Sequence, residues 1–252
     1  MIDAKRLLDQ FLGDLGGSSG RDVRDTGGGS GTGGSPLDDL TRNLPGGIGG
    51  IGGGALAGGL AGILLGSKKG RKLGSKALKL GGMAVLGGLA YHAYRNWQAG
   101  KAPAETASAG QQPAVLPPPS DTPFNPSTED EQQALGRHLL RAMIAGAKAD
   151  GHIDAEEQAN IFEEIDKLAL SAHDKAFVMD ELRAPLDVDA VARAARTPEE
   201  AAEIYAASLL AVDVDNAAER GYLSMLAARL KLDDKLVEHL HASVEGSAEK
   251  VE

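Results

Sequence analysis

The chain has 252 residues, 26 Lys plus Arg against 36 Asp plus Glu, and no cysteine, which excludes a disulfide framework and thiolate chemistry. The charge is unevenly divided: residues 1–119 carry 13 basic against 8 acidic side chains, net +5, and residues 120–252 carry 13 against 28, net −15. The acidic half excludes nucleic acid as a partner, because proteins that bind it present a basic face, while the basic half suits anionic lipid. One modest globular domain joined to a membrane module fits these numbers.

Residues 1–15 read as a short amphipathic helix. Leu7, Leu8, Phe11, Leu12 and Leu15 recur at helical spacing, with Asp9, Gln10 and Asp14 on other faces. Lys5 and Arg6 precede no apolar stretch long enough for a cleavable signal. The segment suits contact with a membrane surface or a partner, and equally a weakly ordered helix. Residues 16–45, which include GGGSGTGGS, read as a disordered Gly/Ser linker.

Residues 46–66 contain eleven glycines and no charged or polar side chain. Gly46, Gly50, Gly54, Gly58, Gly62 and Gly66 recur every fourth residue, which lines one ridge of a helix with small residues and lets a second helix approach to backbone contact. In water each glycine costs about 1 kcal/mol of helix propensity relative to alanine, so the row needs lipid or a tightly packed partner. A flexible linker is the competing reading, but Ile48, Ile51, Leu56, Leu60, Ile63, Leu64 and Leu65 fill the gaps where a linker would carry serine and charge. The length suffices to span ~30 Å of hydrocarbon.

A basic cluster follows, Lys68, Lys69, Arg71, Lys72 and Lys76, and then a second apolar run, LGGMAVLGGLAYHAY, at residues 80–94. The expectation is a Gly-zipper membrane hairpin over residues 46–97, with Lys79 and Arg95 snorkelling and Tyr91, Tyr94 and Trp97 at the interface. One full span plus a re-entrant segment is the alternative. Retention of Lys and Arg on the cytoplasmic side puts the basic turn inside the inner membrane of a bacterium, and with two spans the C-terminal domain is periplasmic. Residues 98–126, rich in Pro and Ala, read as a second disordered linker.

From residue 127 to 246 the pattern is helical throughout, with a short tail at 247–252. Helices are expected near 128–149, 155–169, 172–182, 188–196, 198–212, 216–230 and 234–244. Ser127 with Asp130, Asp154 with Glu157, Ser171 with Asp174 and Thr197 with Glu200 have the spacing of an N-cap and its N3 partner, and Pro198 occupies the favoured first helical position. Apolar stripes such as Leu135, Leu139, Met143 and Ala147, or Ile161, Ile165 and Leu168, converge on one core.

Two helix-turn-helix units in this domain resemble each other, AKADGHIDAEEQANIF and LAVDVDNAAERGYL. Each has an acidic turn, Asp150 with Asp154 and Asp213 with Asp215, then a glutamate in the next helix, Glu157 and Glu219. Side by side these six carboxylates form an all-oxygen set suited to a hard cation such as Ca²⁺ or Mg²⁺. Neither turn is an EF-hand, since the twelfth position is Ile161 in one and Ser224 in the other. The competing reading is helix capping alone, because acids favour a helix N-terminus. Of the histidines, His152 in the first turn is a candidate ligand. His138 and His173 read as ordinary amphipathic-face residues, and His239 and His241 lie on opposite sides of one helix.

The pair A-D-G-H-I-D-x-x-E and Y-A-x-S-L-L-A-V-D-V-D-x-x-x-E-R-x-Y-L, downstream of a Gly-rich apolar hairpin and an opening M-I-D-A-K-R-L-L-D-Q-F-L, resembles the YebE-like family of bacterial inner-membrane proteins. The C-terminal part resembles the tellurite-resistance TerB domain, and that resemblance implies an all-α fold with an acidic, metal-holding face at Asp150, Asp154, Glu157, Asp213, Asp215 and Glu219. No HExxH, GxSxG or GxxxxGK[ST] motif occurs, and GSGTGG matches GxGxxG only because the linker is glycine-rich. The expectation is therefore a non-enzymatic, membrane-anchored interaction or scaffold protein of the bacterial envelope, linked to stress, which self-associates through its hairpin and meets a protein partner through its acidic domain. The alternative is a metal-dependent hydrolase that uses the paired carboxylates.

Overall fold

The computed structural model describes residues 3–5, 7, 8, 82–103, 117–149, 171–212, 214 and 217–248. These form seven helices: α1 (Gly82–Gln98), α2 (Glu129–Ala147), α3 (Ala172–Arg183), α4 (Val188–Arg193), α5 (Pro198–Ala211), α6 (Ala217–Arg229) and α7 (Asp234–Ala248). Among the described residues the only extended pairing is a single bridge between Thr122 and Asn125. The expected helix at 155–169, the linker at 16–45, the glycine row at 46–66 and the basic cluster at 68–76 lie outside the described residues.

Local signals set the helix starts. Ser171 Oγ accepts from Asp174 N at 3.2 Å and donates to Asp174 Oδ2 at 2.7 Å, so the expected cap of α3 is present. Thr197 Oγ1 accepts from Glu200 N at 3.1 Å, and Pro198 opens α5. At α2 the start differs from the expectation by one residue. Thr128, not Ser127, is the cap, and its hydroxyl donates to Glu131 Oε2 at 2.6 Å. Thr128 has Glu131 three residues on, and this pair forms the capping box in place of Ser127 with Asp130. Asp187 caps α4 through Ala190 N at 2.9 Å, a start the sequence reading did not single out.

The bundle is organised on α5. Every residue from Ala201 to Ala211 is buried, because α2, α1, α7 and α6 all pack on it. A helix covered on all sides has no polar face, and AAEIYAASLLA accordingly lacks one. Leu135, Leu139 and Met143 of α2 and Leu236, Leu240 and Val244 of α7 complete the core, each large side chain contributing roughly 1.5–3 kcal/mol on burial.

The second apolar run belongs to this core, which corrects the expectation of a second membrane limb over 80–94. Val85, Leu86, Gly87, Gly88, Leu89, Ala90, Ala93 and Tyr94 of α1 are buried, and α1 packs on α7 and α5. Among the described residues no helix is long and apolar enough to cross a membrane. The aromatics expected at a lipid interface are bundle contacts: Tyr91 and Tyr94 pack edge-on to Phe124 with ring centroids 5.6 Å apart, and Trp97 Nε1 donates to Asp233 Oδ1 at 3.1 Å. Arg95 lies over the Tyr91 ring at 5.5 Å.

Phe124 comes from the end of the expected Pro/Ala linker, which departs from that expectation over residues 117–126. Asn125 Nδ2 donates to Pro118 O at 3.2 Å and Thr122 Oγ1 to Pro119 O at 2.8 Å, closing a loop that carries Phe124 into the core. The N-terminal segment is helical at residues 4, 5, 7 and 8 and docks on the bundle, with Ala4, Leu7 and Leu8 fully buried.

Candidate functional site

Four polar side chains interrupt the apolar surface of α5, and between them they face α2, α7, α6 and α1. Glu200 Oε1 meets His138 Nδ1 of α2 at 3.3 Å. Tyr205 OH meets His241 Nε2 of α7 at 2.9 Å. Ser208 Oγ donates to Ala142 O of α2 at 2.9 Å and lies 3.0 Å from Tyr222 OH of α6. Glu203 faces α1 at Gly87. In this polar seam Glu200, Tyr205 and Ser208 favour one rotation of α5 against its neighbours, since a wrong register would strand each of them away from its partner.

Three members of the seam are satisfied and one is not. Glu203 is fully buried, and neither carboxyl oxygen has a hydrogen-bond partner among the described residues. Burial pushes its pKa well above the usual carboxylate value, and the neighbouring Glu200 adds to the effect. Burial therefore favours the protonated, neutral form of Glu203. Glu200 moves the other way. Burial opposes its ionisation, but the hydrogen bonds from His138 and from Arg196 N, the latter at 2.6 Å, outweigh that and hold its pKa below the usual value. The hydroxyls of Tyr205 and Tyr222 are pushed up to about 12 by burial, so both are neutral hydrogen-bonding groups.

The α1–α5 crossing is as close as it is because residue 87 is glycine. A β-carbon there would lie 2.7 Å from Phe124 O, 3.1 Å from Glu203 Oε1 and 3.2 Å from Pro118 Cγ. The small-residue logic read for lipid thus operates here inside the bundle.

Of the six candidate metal-holding carboxylates, Glu219 lies half-buried in the first turn of α6, where an acid favours the helix N-terminus. Asp150, Asp154, Glu157, Asp213 and Asp215 lie outside the described residues, as does His152. Among the described residues no group of three or more His, Asp or Glu side chains is placed to hold a metal ion. His239 Nε2 contacts Lys101 O at 3.0 Å while His241 contacts Tyr205, so the two engage different elements. His173 is exposed. The half-buried ring of His92 has its pKa lowered by burial and by Arg95.

Glu203 was missed in the sequence, although a signal existed: it is the sole charge between Glu200 and Asp213. A lone carboxylate within such an apolar run marks either a partnered ion or a neutral acid.

The described residues form an all-helical bundle arranged on a buried central helix, and the family that the chain matches is a TerB-like one. The family model described as "Protein of unknown function (DUF533)" matches residues 50–244, and the chain belongs to that family. A protein of Yersinia enterocolitica described as "Uncharacterized protein in ampR 5'region" is 33% identical over 96 residues, which cover 38% of this chain and 69% of that protein. No solved structure matches the chain.

Proposed function

We propose that this chain is a non-enzymatic interaction protein of the YebE-like kind, anchored in the bacterial inner membrane. Residues 46–66 form its one span and self-associate through the row of Gly46, Gly50, Gly54, Gly58, Gly62 and Gly66. The TerB-like bundle presents an acidic surface to a protein partner, and the carboxylates Asp150, Asp154, Glu157, Asp213, Asp215 and Glu219 take up a divalent cation such as Ca²⁺ or Mg²⁺.

The observation that carries this reading is the placement of α1. Because its apolar face is bundle core, only residues 67–81, with the basic cluster of Lys68, Lys69, Arg71, Lys72 and Lys76, separate the glycine row from the folded domain. A connection of fifteen residues keeps the anchor and the bundle close together along the chain. The family match beginning at residue 50 supports treating the two as one unit. A single span also changes the topology. Basic cluster and bundle then share a side, and retention of Lys and Arg makes that side cytoplasmic, whereas two spans favoured the periplasm.

Deleting residues 46–66 tests the anchor. The full chain is expected in the membrane fraction, resistant to alkaline carbonate and released by detergent. The deleted chain is expected in the soluble fraction with its cooperative helical melt retained. Equal distribution of the two would refute the anchor.

A further inference from the structure

The N-terminal segment is gripped at its beginning. Asp3 N donates to Asp174 Oδ1 at 2.8 Å, Ala4 N to Gln133 Oε1 at 2.6 Å and Lys5 N to the same oxygen at 3.4 Å, while Gln133 Nε2 donates to Asp3 Oδ1 at 3.0 Å. The first N–H groups of any helix have no acceptor within it. Here Gln133 of α2 and Asp174 of α3 supply the acceptors from outside, which an N-cap ordinarily does from within. Asp174 is only 4% exposed, and its second oxygen is already held by Ser171 Oγ, so this acceptor is oriented by α3's own cap.

The floor of the site is shaped for backbone. A β-carbon at Gly136 would lie 3.0 Å from Ala4 C and 3.1 Å from Lys5 N, so the segment settles closer to α2 than any side chain there would allow. Ala4, Leu7 and Leu8 are fully buried beyond it. The surface therefore selects three things: free main-chain N–H groups at a helix start, a small residue against Gly136, and a leucine pair one turn later.

We propose that this α2–α3 surface is a binding site for the start of a short amphipathic helix, and that its occupant is the chain's own N-terminal segment, held in cis and reversibly. Residues 9–81 separate that segment from α1, which makes it a tethered ligand whose occupancy is set by effective concentration. Local segments open at a lower free energy than global unfolding, so release of this one leaves the rest of the bundle folded.

The chain has no cysteine, which permits a direct test on the full-length protein. Lys5 Nζ lies 3.2 Å from Gln132 Oε1, so Lys5→Cys with Gln132→Cys places two thiols within reach of a short bis-maleimide. The expected product is a crosslinked monomer, with a yield that falls several-fold when a synthetic peptide of residues 1–15 is added in excess. Adding Gly136→Leu to the pair should lower the yield comparably, whereas Gly221→Leu, at an exposed glycine with nothing within 4 Å, should not. If Gly136→Leu does not fold, Gln133→Ala should give the same loss. A crosslinked dimer, a yield indifferent to peptide, or no crosslinking would each overturn the proposal.

Discussion

Glu203 and Gly87 set how closely α5 and α1 approach: Oε1 of the buried carboxyl would lie 3.1 Å from a β-carbon at position 87, where the carbonyl of Phe124 already closes the other side at 2.7 Å. Substitution of this glycine should separate packing from propensity. Gly87→Ala gains about 1 kcal/mol of helix propensity but forces backbone apart, an overpacking cost of roughly 1–3 kcal/mol. Gly221→Ala has the same propensity gain and meets nothing within 4 Å. Denaturant titration should therefore find the first variant less stable than the parent and the second more stable by about 0.5–1 kcal/mol.

The raised pKa of Glu203 makes a signed prediction about pH. Its folded pKa is raised by burial, so above the unfolded pKa the unfolded chain binds fewer protons than the folded one. Stability is then fully present below the unfolded value and is lost as pH rises toward the folded value. Glu203→Gln removes the dependence. The variant should match the parent near pH 4 and gain on it by up to about 1.4 kcal/mol per pH unit above that. Glu200 has the opposite sign: its lowered pKa contributes stability above the unfolded value that is lost as pH falls through the folded one. A stability difference between parent and Glu203→Gln that is flat from pH 5 to pH 8 would show that Glu203 is ionised in the folded chain.

Much of the bundle was legible in the sequence because its signals are local. Ser171 with Asp174, Thr197 with Glu200 and Pro198 fix helix starts within four residues of themselves, and the described helices follow them. The environment of α1 was not legible, because an apolar run with small residues meets the same packing requirement in lipid and in a protein core. What distinguishes the two is the far side of the contact, Phe124 and Glu203, and no periodicity within 80–94 encodes it. The N-terminal helix repeats the lesson: Leu7 and Leu8 marked its apolar face, but Gln133 and Asp174, which hold it, are distant in the chain.

The Ser208 hydroxyl sits between two elements, donating to Ala142 O and meeting Tyr222 OH. Ser208→Ala leaves the buried Tyr222 hydroxyl without this partner and should cost about 1–3 kcal/mol, while Tyr222→Phe leaves Ser208 bonded to Ala142 O and should cost about 1 kcal/mol. The double variant should be less destabilised than the sum, by the coupling that a mutant cycle measures. Strict additivity would mean the two hydroxyls do not interact.

The acidic turns respond to cation only if they bind it. Millimolar Ca²⁺ or Mg²⁺ should then raise the melting temperature of the chain by linkage, and the Asp150→Asn, Asp213→Asn double variant should lose that increment without losing stability in chelator, because two like charges are gone. A parent with no ion response and a variant destabilised in both conditions would assign these carboxylates to helix capping.

The membrane account turns on which side the bundle occupies. Met225 of α6 is 46% exposed, and in a chain without cysteine Met225→Cys carries the sole thiol. Intact spheroplasts treated with a membrane-impermeant maleimide should leave this thiol unlabelled, and lysis should expose it fully while the protein stays with the membranes, as one span with a cytoplasmic bundle requires. Labelling before lysis would contradict the account.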